Sequence, residues 1–539
     1  MRRYLFIGLI YCIAVGAVRA QERCPIIPQP AHAERHTGYF SLDKHTPIVA
    51  ENPEAVSAAH FLQREMLRLM TIPLAIHSGE GSQPAIRIEI DPSVKGAEAY
   101  TLQVTARSIR VAAGTLAGLR YGIVSLLQLA QGETASAAAL KIPAWELADN
   151  PRYAWRGLML DESRHFFGKA KVKSILDWMA YYKLNRFHWH LTDEPAWRLE
   201  IKQYPLLTLI GGIGSFTDGT APAAYYTQED IHEIVAYAAE RNIVVIPEID
   251  MPGHATAANR AYPEYSGGGT EAHPHFTFNP GKEATYTYLT DILRETNSLF
   301  PSQLLHLGGD EVSFGSAAWQ SDAAIQRLMT REGLKTNQDV ERYFMKRMAD
   351  SVYRLNAKLL AWDEMADAGL PTDNTIIFWW RQDKPAQLKT AWANGYQTII
   401  CPRLPLYFDF VQDSTHRFGR RWDGAFNPLE AVYTYEVDGL TSTAAERDLI
   451  LGVQANVWSE PIPNAQRLDF LLFPRIAALA EIAWTPDEKK AFEPFSLLLK
   501  EHIALYRQHG IYYYDPFQPN ANPEPVVYRT DRDLSVERR

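Results

Sequence analysis

The sequence predicts a (β/α)8 barrel preceded by a small α+β domain, and three observations lead there. From Arg152 onward, short apolar segments alternate with amphipathic segments of helical length. The apolar segments number eight, at 157–160, 186–190, 243–249, 304–307, 358–362, 375–380, 397–401 and 451–458. Charged or aromatic side chains follow nearly every one of them, as happens where the carboxyl ends of barrel strands surround a site.

The chain has 539 residues, which makes two domains the natural expectation. A hydrophobic fraction of 46% is enough to fill a large core. The formal net charge of -9 argues against a nucleic acid held by bulk electrostatics. The 13 Trp and 27 Tyr are core material in most proteins, but flat rings also stack on the apolar faces of sugars.

Residues 1–20 read as a cleaved signal peptide. Arg2 and Arg3 give a basic start, 5–18 is an apolar run, and Ala20 is a small residue at the expected cut. The expected destination is therefore secreted or periplasmic. No later stretch matches that apolar length, so no membrane span is expected in the mature chain. Cys12 leaves with the signal, and Cys24 and Cys401 are too few for a disulfide framework. Residues 21–23, just before Cys24, do not resemble a lipid-attachment box.

Residues 21–150 are expected to form the small α+β domain. Segments 85–90, 100–104 and 109–113 read as strands, and 61–70 and 119–129 as helices. The small-residue and Pro-containing stretch 132–149 reads as a connection. No catalytic cluster occurs in this half, which suits a buttress.

The barrel is expected over 151–510, ending on a helix near 492–508. Beyond Tyr514 the chain turns Pro-rich and then charged, so 511–539 is expected to be a tail. An open doubly wound sheet is the competing architecture. It would carry a glycine-rich turn after its first strand, where this chain has Asp161-Glu162-Ser163-Arg164.

The strand ends, in order, carry Asp161 and Arg164; His188, His190 and Asp193; Glu248, Asp250 and His254; and Asp310 with Glu311. Then come Trp362, Asp363 and Glu364; Trp380 and Arg381; Tyr407 and Asp409; and Trp458 and Glu460. One charged residue at a strand end is usually a helix cap. Such groups at almost every end describe a lined pocket. The sharpest element is His306-Leu307-Gly308-Gly309-Asp310-Glu311-Val312. Its glycines permit a tight turn or a close approach. Its two adjacent acids, with Cα atoms about 3.8 Å apart, point in different directions and can take different tasks. A helix N-terminus would also favour two acids, but their place after two glycines at a strand end favours chemistry.

That segment resembles the motif of glycoside hydrolase family 20, the β-N-acetylhexosaminidases. The likeness extends to Arg156-Gly157-Leu158-Met159-Leu160-Asp161 with Arg164-His165-Phe166 at the first strand. Asn185 to Asp193 with Trp197-Arg198 resembles the second, Pro247 to His254 the third, and Trp458-Ser459-Glu460 the eighth. It covers roughly 150–484 in the family's order, and the preceding domain is similar to the family's usual one. Glu194-Pro195-Ala196 departs from the common acidic-Gln-Gly stretch, which points to an altered pocket rim. Trp379-Trp380-Arg381 offers two candidates for a stacking ring, of which Trp380 is preferred.

The resemblance implies a TIM-barrel enzyme that removes terminal non-reducing N-acetylglucosamine or N-acetylgalactosamine from a glycan or oligosaccharide. Most retaining glycosidases place an acid and a nucleophile about 5–5.5 Å apart, whereas this family is substrate-assisted. Glu311 is then the general acid–base. Asp310 holds the acetamido N–H, and Tyr407 its oxygen. Trp362, Trp380 and Trp458 wall the sugar, and Arg164, Asp409 and Glu460 bind its hydroxyls. Asp193, Asp250, His254 and His306 hold the two acids; a satisfied buried polar group is the other reading of each, and for His306 an equal one. No cofactor and no metal are implied. Two other readings remain: a metallohydrolase built on His188, His190, Asp193, His254 and Asp310, and a catalytically inactive sugar-binding protein. Trp189 between the two histidines disfavours the first. The joint presence of Asp310, Glu311 and Tyr407 disfavours the second.

Overall fold

The computed structural model describes residues 23–79, 84–131, 139–422 and 424–526. The expected signal peptide and the end of the expected tail lie outside the described residues.

The N-terminal domain is a seven-stranded mixed sheet with two helices against it. The three expected strands are present as Ala85–Ile90, Tyr100–Val104 and Ser108–Ala113. The two helices run Pro53–Met70 and Leu116–Gln131. The first begins where Asn52 accepts the Ala55 N–H and Pro53 takes the opening helical position. One expectation fails here. Part of the stretch read as a connection is the strand Leu140–Asp149, which pairs with both His32–Leu42 and Tyr100–Val104. Pro143 lies opposite Tyr39, at the register shift between Arg35 and Tyr39, where an irregular ladder tolerates a residue lacking an N–H.

The barrel is closed and parallel. Its strands are Trp155–Asp161, Arg186–His190, Val244–Glu248, Leu304–His306, Lys358–Trp362, Thr375–Trp379, Gln397–Ile400 and Ile450–Val457. The eighth closes on the first through pairs running from Gly452 with Trp155 to Val457 with Leu160. Each observed strand falls within about two residues of its expected place, because a buried parallel strand is a short apolar run that a sequence displays directly. The competing open sheet is thereby excluded.

The two domains meet over charged groups. Arg156, fully buried on the first barrel strand, donates to Glu98 of the N-terminal domain at 2.7 and 2.8 Å. Lys183 lies 3.3 Å from Asp149, which also accepts from Trp484 Nε1 at 3.1 Å. Removing one partner strands a buried charge. Glu98→Ala is therefore expected to cost about 3–5 kcal/mol in denaturant unfolding, while Arg64→Ala, on a half-exposed pair with Glu240, changes it by less than about 1 kcal/mol.

The last helix, Phe492–Gln508, matches its expected span. The expected tail does not hang free in its described part. Tyr513 and Tyr514 are buried, and Glu524 lies 2.8 Å from the buried Arg467. Cys24 and Cys401 are both buried free thiols. No helix among the described residues is long and apolar enough to cross a membrane.

Candidate active site

The fourth strand delivers the two adjacent acids through a turn that only glycine can make. Gly308 has φ 65°, and a Cβ there would fall 1.8 Å from Asp250 Oδ1. Gly309 follows at φ 90°, and Glu311 itself is left-handed at φ 51°. A left-handed non-glycine residue costs on the order of 1–3 kcal/mol and is kept where the surroundings enforce it. The turn is pinned from below: His306 Nδ1 accepts the Gly308 N–H at 3.1 Å, and Asp250 accepts the Gly309 N–H at 3.4 Å.

His254 faces both acids, with Nε2 lying 3.6 Å from Asp310 Oδ2 and 3.7 Å from Glu311 Oε2. Behind it runs a buried chain of alternating charge. His254 Nδ1 donates to Asp193 Oδ1 at 3.0 Å, and Asp193 Oδ2 takes His190 Nε2 at 2.8 Å. His190 Nδ1 in turn donates to Glu248 at 2.6 Å. Burial opposes a charged His254, but Asp193, Asp310 and Asp250 outweigh it and hold the imidazole well above its usual pKa. Burial likewise opposes ionised Asp193, yet Arg164, His254 and His190 hold it well below the carboxylate range. Asp310 is pushed up to about 6 by burial, with His254 pulling down and Glu311 pushing up. Burial and the Asp310 charge raise Asp250 well above its usual range.

Trp362, Trp380, Tyr407 and Trp458 line one cavity together with Arg164, His254, Asp310, Glu311 and Glu460. Trp362 and Trp458 lie 6.0 Å apart, and the Trp380 and Tyr407 rings are within 12° of parallel at 6.4 Å. Trp362 is anchored by its Nε1, which donates to Glu248 at 3.0 Å. The choice between neighbouring tryptophans resolves by strand alternation: Trp379 joins the core outside the barrel, while Trp380 joins the cavity wall.

The expected site residues are thus brought together with a division among them. Asp193, Asp250 and His306 lie beneath the cavity: Asp193 pairs with Arg164, His306 packs on Trp362, and Asp250 holds the glycine turn through the Gly309 N–H. Asp409 is fully buried behind Arg420. Asp363 and Glu364 clamp Arg381, and Glu364 also accepts from Trp380 Nε1 at 3.2 Å. Arg420 and Trp422 line the cavity too, and sequence reasoning missed both. They lie in a long loop with no motif or periodicity to mark them. The altered Glu194-Pro195 stretch does form rim: it borders an outer cavity of about 440 Å3, where Glu194 pairs with His273 at 3.0 Å.

Several buried groups come close enough to surround an ion, among them His190 with Asp193 and Asp250, and His254 with Asp250 and Asp310. A metal needs neutral imidazole, and both histidines are held cationic by flanking acids. Those two groups therefore fit an ion-paired network better than a metal centre; a third, His188 with Glu248 and His306, is fully buried and keeps a neutral His188, which burial pushes down to about 4.

Comparison with known proteins gives a consistent result. A family profile described as "Glycosyl hydrolase family 20, catalytic domain" matches residues 153–487, and one described as "Glycosyl hydrolase family 20, domain 2" matches 23–150. A beta-hexosaminidase of Porphyromonas gingivalis is 34% identical, over 99% of this chain and 71% of that protein. One of Vibrio furnissii is 33% identical, over 84% and 76%. Among solved structures, a GH20 exo beta-N-acetylglucosaminidase of Vibrio harveyi in complex with N-acetylglucosamine aligns with TM-score 0.84 at 30% identity, covering 92% of this chain and 79% of that one.

Proposed function

Since this chain belongs to glycosyl hydrolase family 20, we propose that it is an exo-acting, retaining β-N-acetylhexosaminidase using substrate assistance. The observation that carries the proposal is the Asp310–Glu311 pair on its glycine turn, facing a cavity walled by Tyr407 and three tryptophans. In this mechanism the acetamido oxygen of the substrate attacks the anomeric carbon and forms an oxazolinium. Asp310 accepts the acetamido N–H and stabilises the positive charge that develops there. Tyr407 donates its O–H to the acetamido oxygen. Glu311 protonates the leaving oxygen, then takes a proton from the water that opens the oxazolinium with overall retention. An internal nucleophile reaches effective molarities of about 10⁵–10⁸ M, so orientation is most of what the walls must supply. Hydrolysis of paired aryl β-N-acetylglucosaminide, β-N-acetylgalactosaminide and β-glucoside tests the reading. Turnover confined to the first two supports it, and equal turnover of the glucoside removes it.

Arg164 and Glu460 line the cavity, with Asp409 held behind Arg420, and polar groups so placed suit the hydroxyls of a single terminal sugar. Monosaccharide is therefore the expected first product from oligosaccharides by mass spectrometry; disaccharide as the sole early product would refute exo release of one sugar. Full activity is expected after exhaustive chelation, and zinc-restored activity would mean a metallohydrolase. Asp310 works ionised. With its pKa near 6, kcat/KM is expected to fall as pH drops through that value, and Asp310→Asn should make that acid limb shallower, with Asp409, also pushed up to about 6, contributing the remainder. We also place the enzyme outside the cytoplasm, on Arg2, Arg3 and the apolar run at 5–18. N-terminal sequencing of the exported protein should find the cut after Ala20.

A further inference from the structure

Arg420 belongs to none of the sequence motifs, yet it occupies a highly charged corner of the cavity. Its Nε donates to Asp409 Oδ2 at 2.5 Å, and its Nη2 donates to Glu460 Oε1 at 3.0 Å. One oxygen of each acid is therefore engaged. The other two, Asp409 Oδ1 and Glu460 Oε2, are buried and accept no hydrogen bond from any described residue. Arg164 comes no nearer to Glu460 than 4.0 Å, and that approach is to Oε1. Arg475 is also close, but its guanidinium is spent on the backbone carbonyls of Phe408, Phe410, Leu471 and Asn427. A buried carboxylate oxygen without a donor carries a desolvation cost, so two such oxygens in one corner suit donors that arrive with a ligand.

The place of Glu460 around the site follows from the barrel. Glu460 follows the eighth strand and the Asp310–Glu311 pair follows the fourth, four strands around the closed ring. If Glu311 addresses C1 and Asp310 the group on C2, the opposite side of a pyranose presents C4 and C5, with their hydroxyl and hydroxymethyl groups.

We propose that Arg420 is a positioning residue for the terminal sugar. It holds Asp409 behind the cavity wall and Glu460 at it, in the arrangement that leaves Asp409 Oδ1 and Glu460 Oε2 for hydroxyl donors on the sugar's C4–C6 edge. The proposal rests on the glycosidase reading above. It adds that recognition of this edge depends on Arg420, a cavity residue that belongs to none of the sequence motifs. The forked, planar guanidinium is the reason for arginine, since one group can bridge two carboxylates at fixed spacing. Charge supports the same assignment. Burial pushes Asp409 up to about 6, Arg420 counters that, and Glu460 adds to it. Without Arg420 the two acids would lose the one cation that bridges them, leaving Arg164 alone to offset Glu460.

A cycle of substrate and protein changes tests this. The kcat/KM of an aryl β-N-acetylglucosaminide is divided by that of its 4-deoxy and 6-deoxy analogues, for wild type, Arg420→Met and Arg420→Lys. Each ratio is independent of how much enzyme is correctly folded. In wild type, at least one deoxygenation is expected to cost about 10–100-fold, as for a hydrogen bond to a charged group. In Arg420→Met the same deoxygenation should cost less than about three-fold, because the acids are no longer presented. Arg420→Lys should fall between, keeping the charge without the fork. A deoxygenation penalty equal in wild type and Arg420→Met would show that Arg420 merely supports the loop, and would overturn the proposal. So would a wild type indifferent to both deoxygenations. No activity on the parent glycoside would instead overturn the glycosidase reading, and this proposal with it.

Discussion

Glu311→Gln is expected to lower kcat/KM by about 10²–10⁴-fold on oligosaccharides, whose leaving group is a poor one. On a dinitrophenyl glycoside the loss should be much smaller, because that leaving group departs with little protonation. The contrast separates an acid from a group that only binds. A binding group would lower both substrates by one factor, and that outcome would take the proton-donor role from Glu311. The structure gives this residue the means for the role. It is left-handed at the end of a glycine turn, its side chain is 31% exposed to the cavity, and His254 lies 3.7 Å from its carboxyl. Exposure lets it meet both a leaving oxygen and an incoming water.

Removing the substrate's acetamide should have the larger effect. Without the internal nucleophile, β-glucosides are expected to react slower by about 10⁵-fold or more. A thiazoline mimic of the oxazolinium should inhibit strongly. Asp310→Asn should lose about 10²–10³ in kcat, the scale seen when one preorganised charge partner is removed. The alternative is a protein nucleophile. The carboxylates available for that role are Glu364, beyond the fifth strand, and Glu460, beyond the eighth. In the fold, Glu364 accepts from Trp380 Nε1 and pairs with Arg381 behind the wall, while Glu460 is held by Arg420 across the cavity. Burial and the Asp363 charge also hold Glu364 well above the carboxylate range, a poor state for a nucleophile. Covalent labelling of either residue by a 2-fluoro sugar would defeat substrate assistance and leave the barrel untouched.

Much of this was legible before any coordinates. All eight barrel strands were visible as apolar runs, and the Asp310–Glu311 pair with its two glycines is contiguous in the chain. Trp362, Trp380, Tyr407 and Trp458 each sit at or just beyond a strand's carboxyl end, so the barrel alone places them on one face. The strand Leu140–Asp149 was not legible. Its Pro143 and small-residue approach mimic a connection, and only pairing with two distant strands makes it regular.

The sequence by itself determined the order of the elements and the adjacency of Asp310 and Glu311 after two glycines. Both are local facts: a period of side chains along a strand, and two acids joined by one peptide bond. The tertiary structure decided what surrounds them. Asp193 meets His254 across 61 positions and Arg420 meets Glu460 across 40, and no pattern near either residue announces its partner. Such contacts form because barrel closure brings eight strand ends and their loops to one rim. There, low dielectric makes each buried charge seek whichever opposite charge the fold has carried within reach.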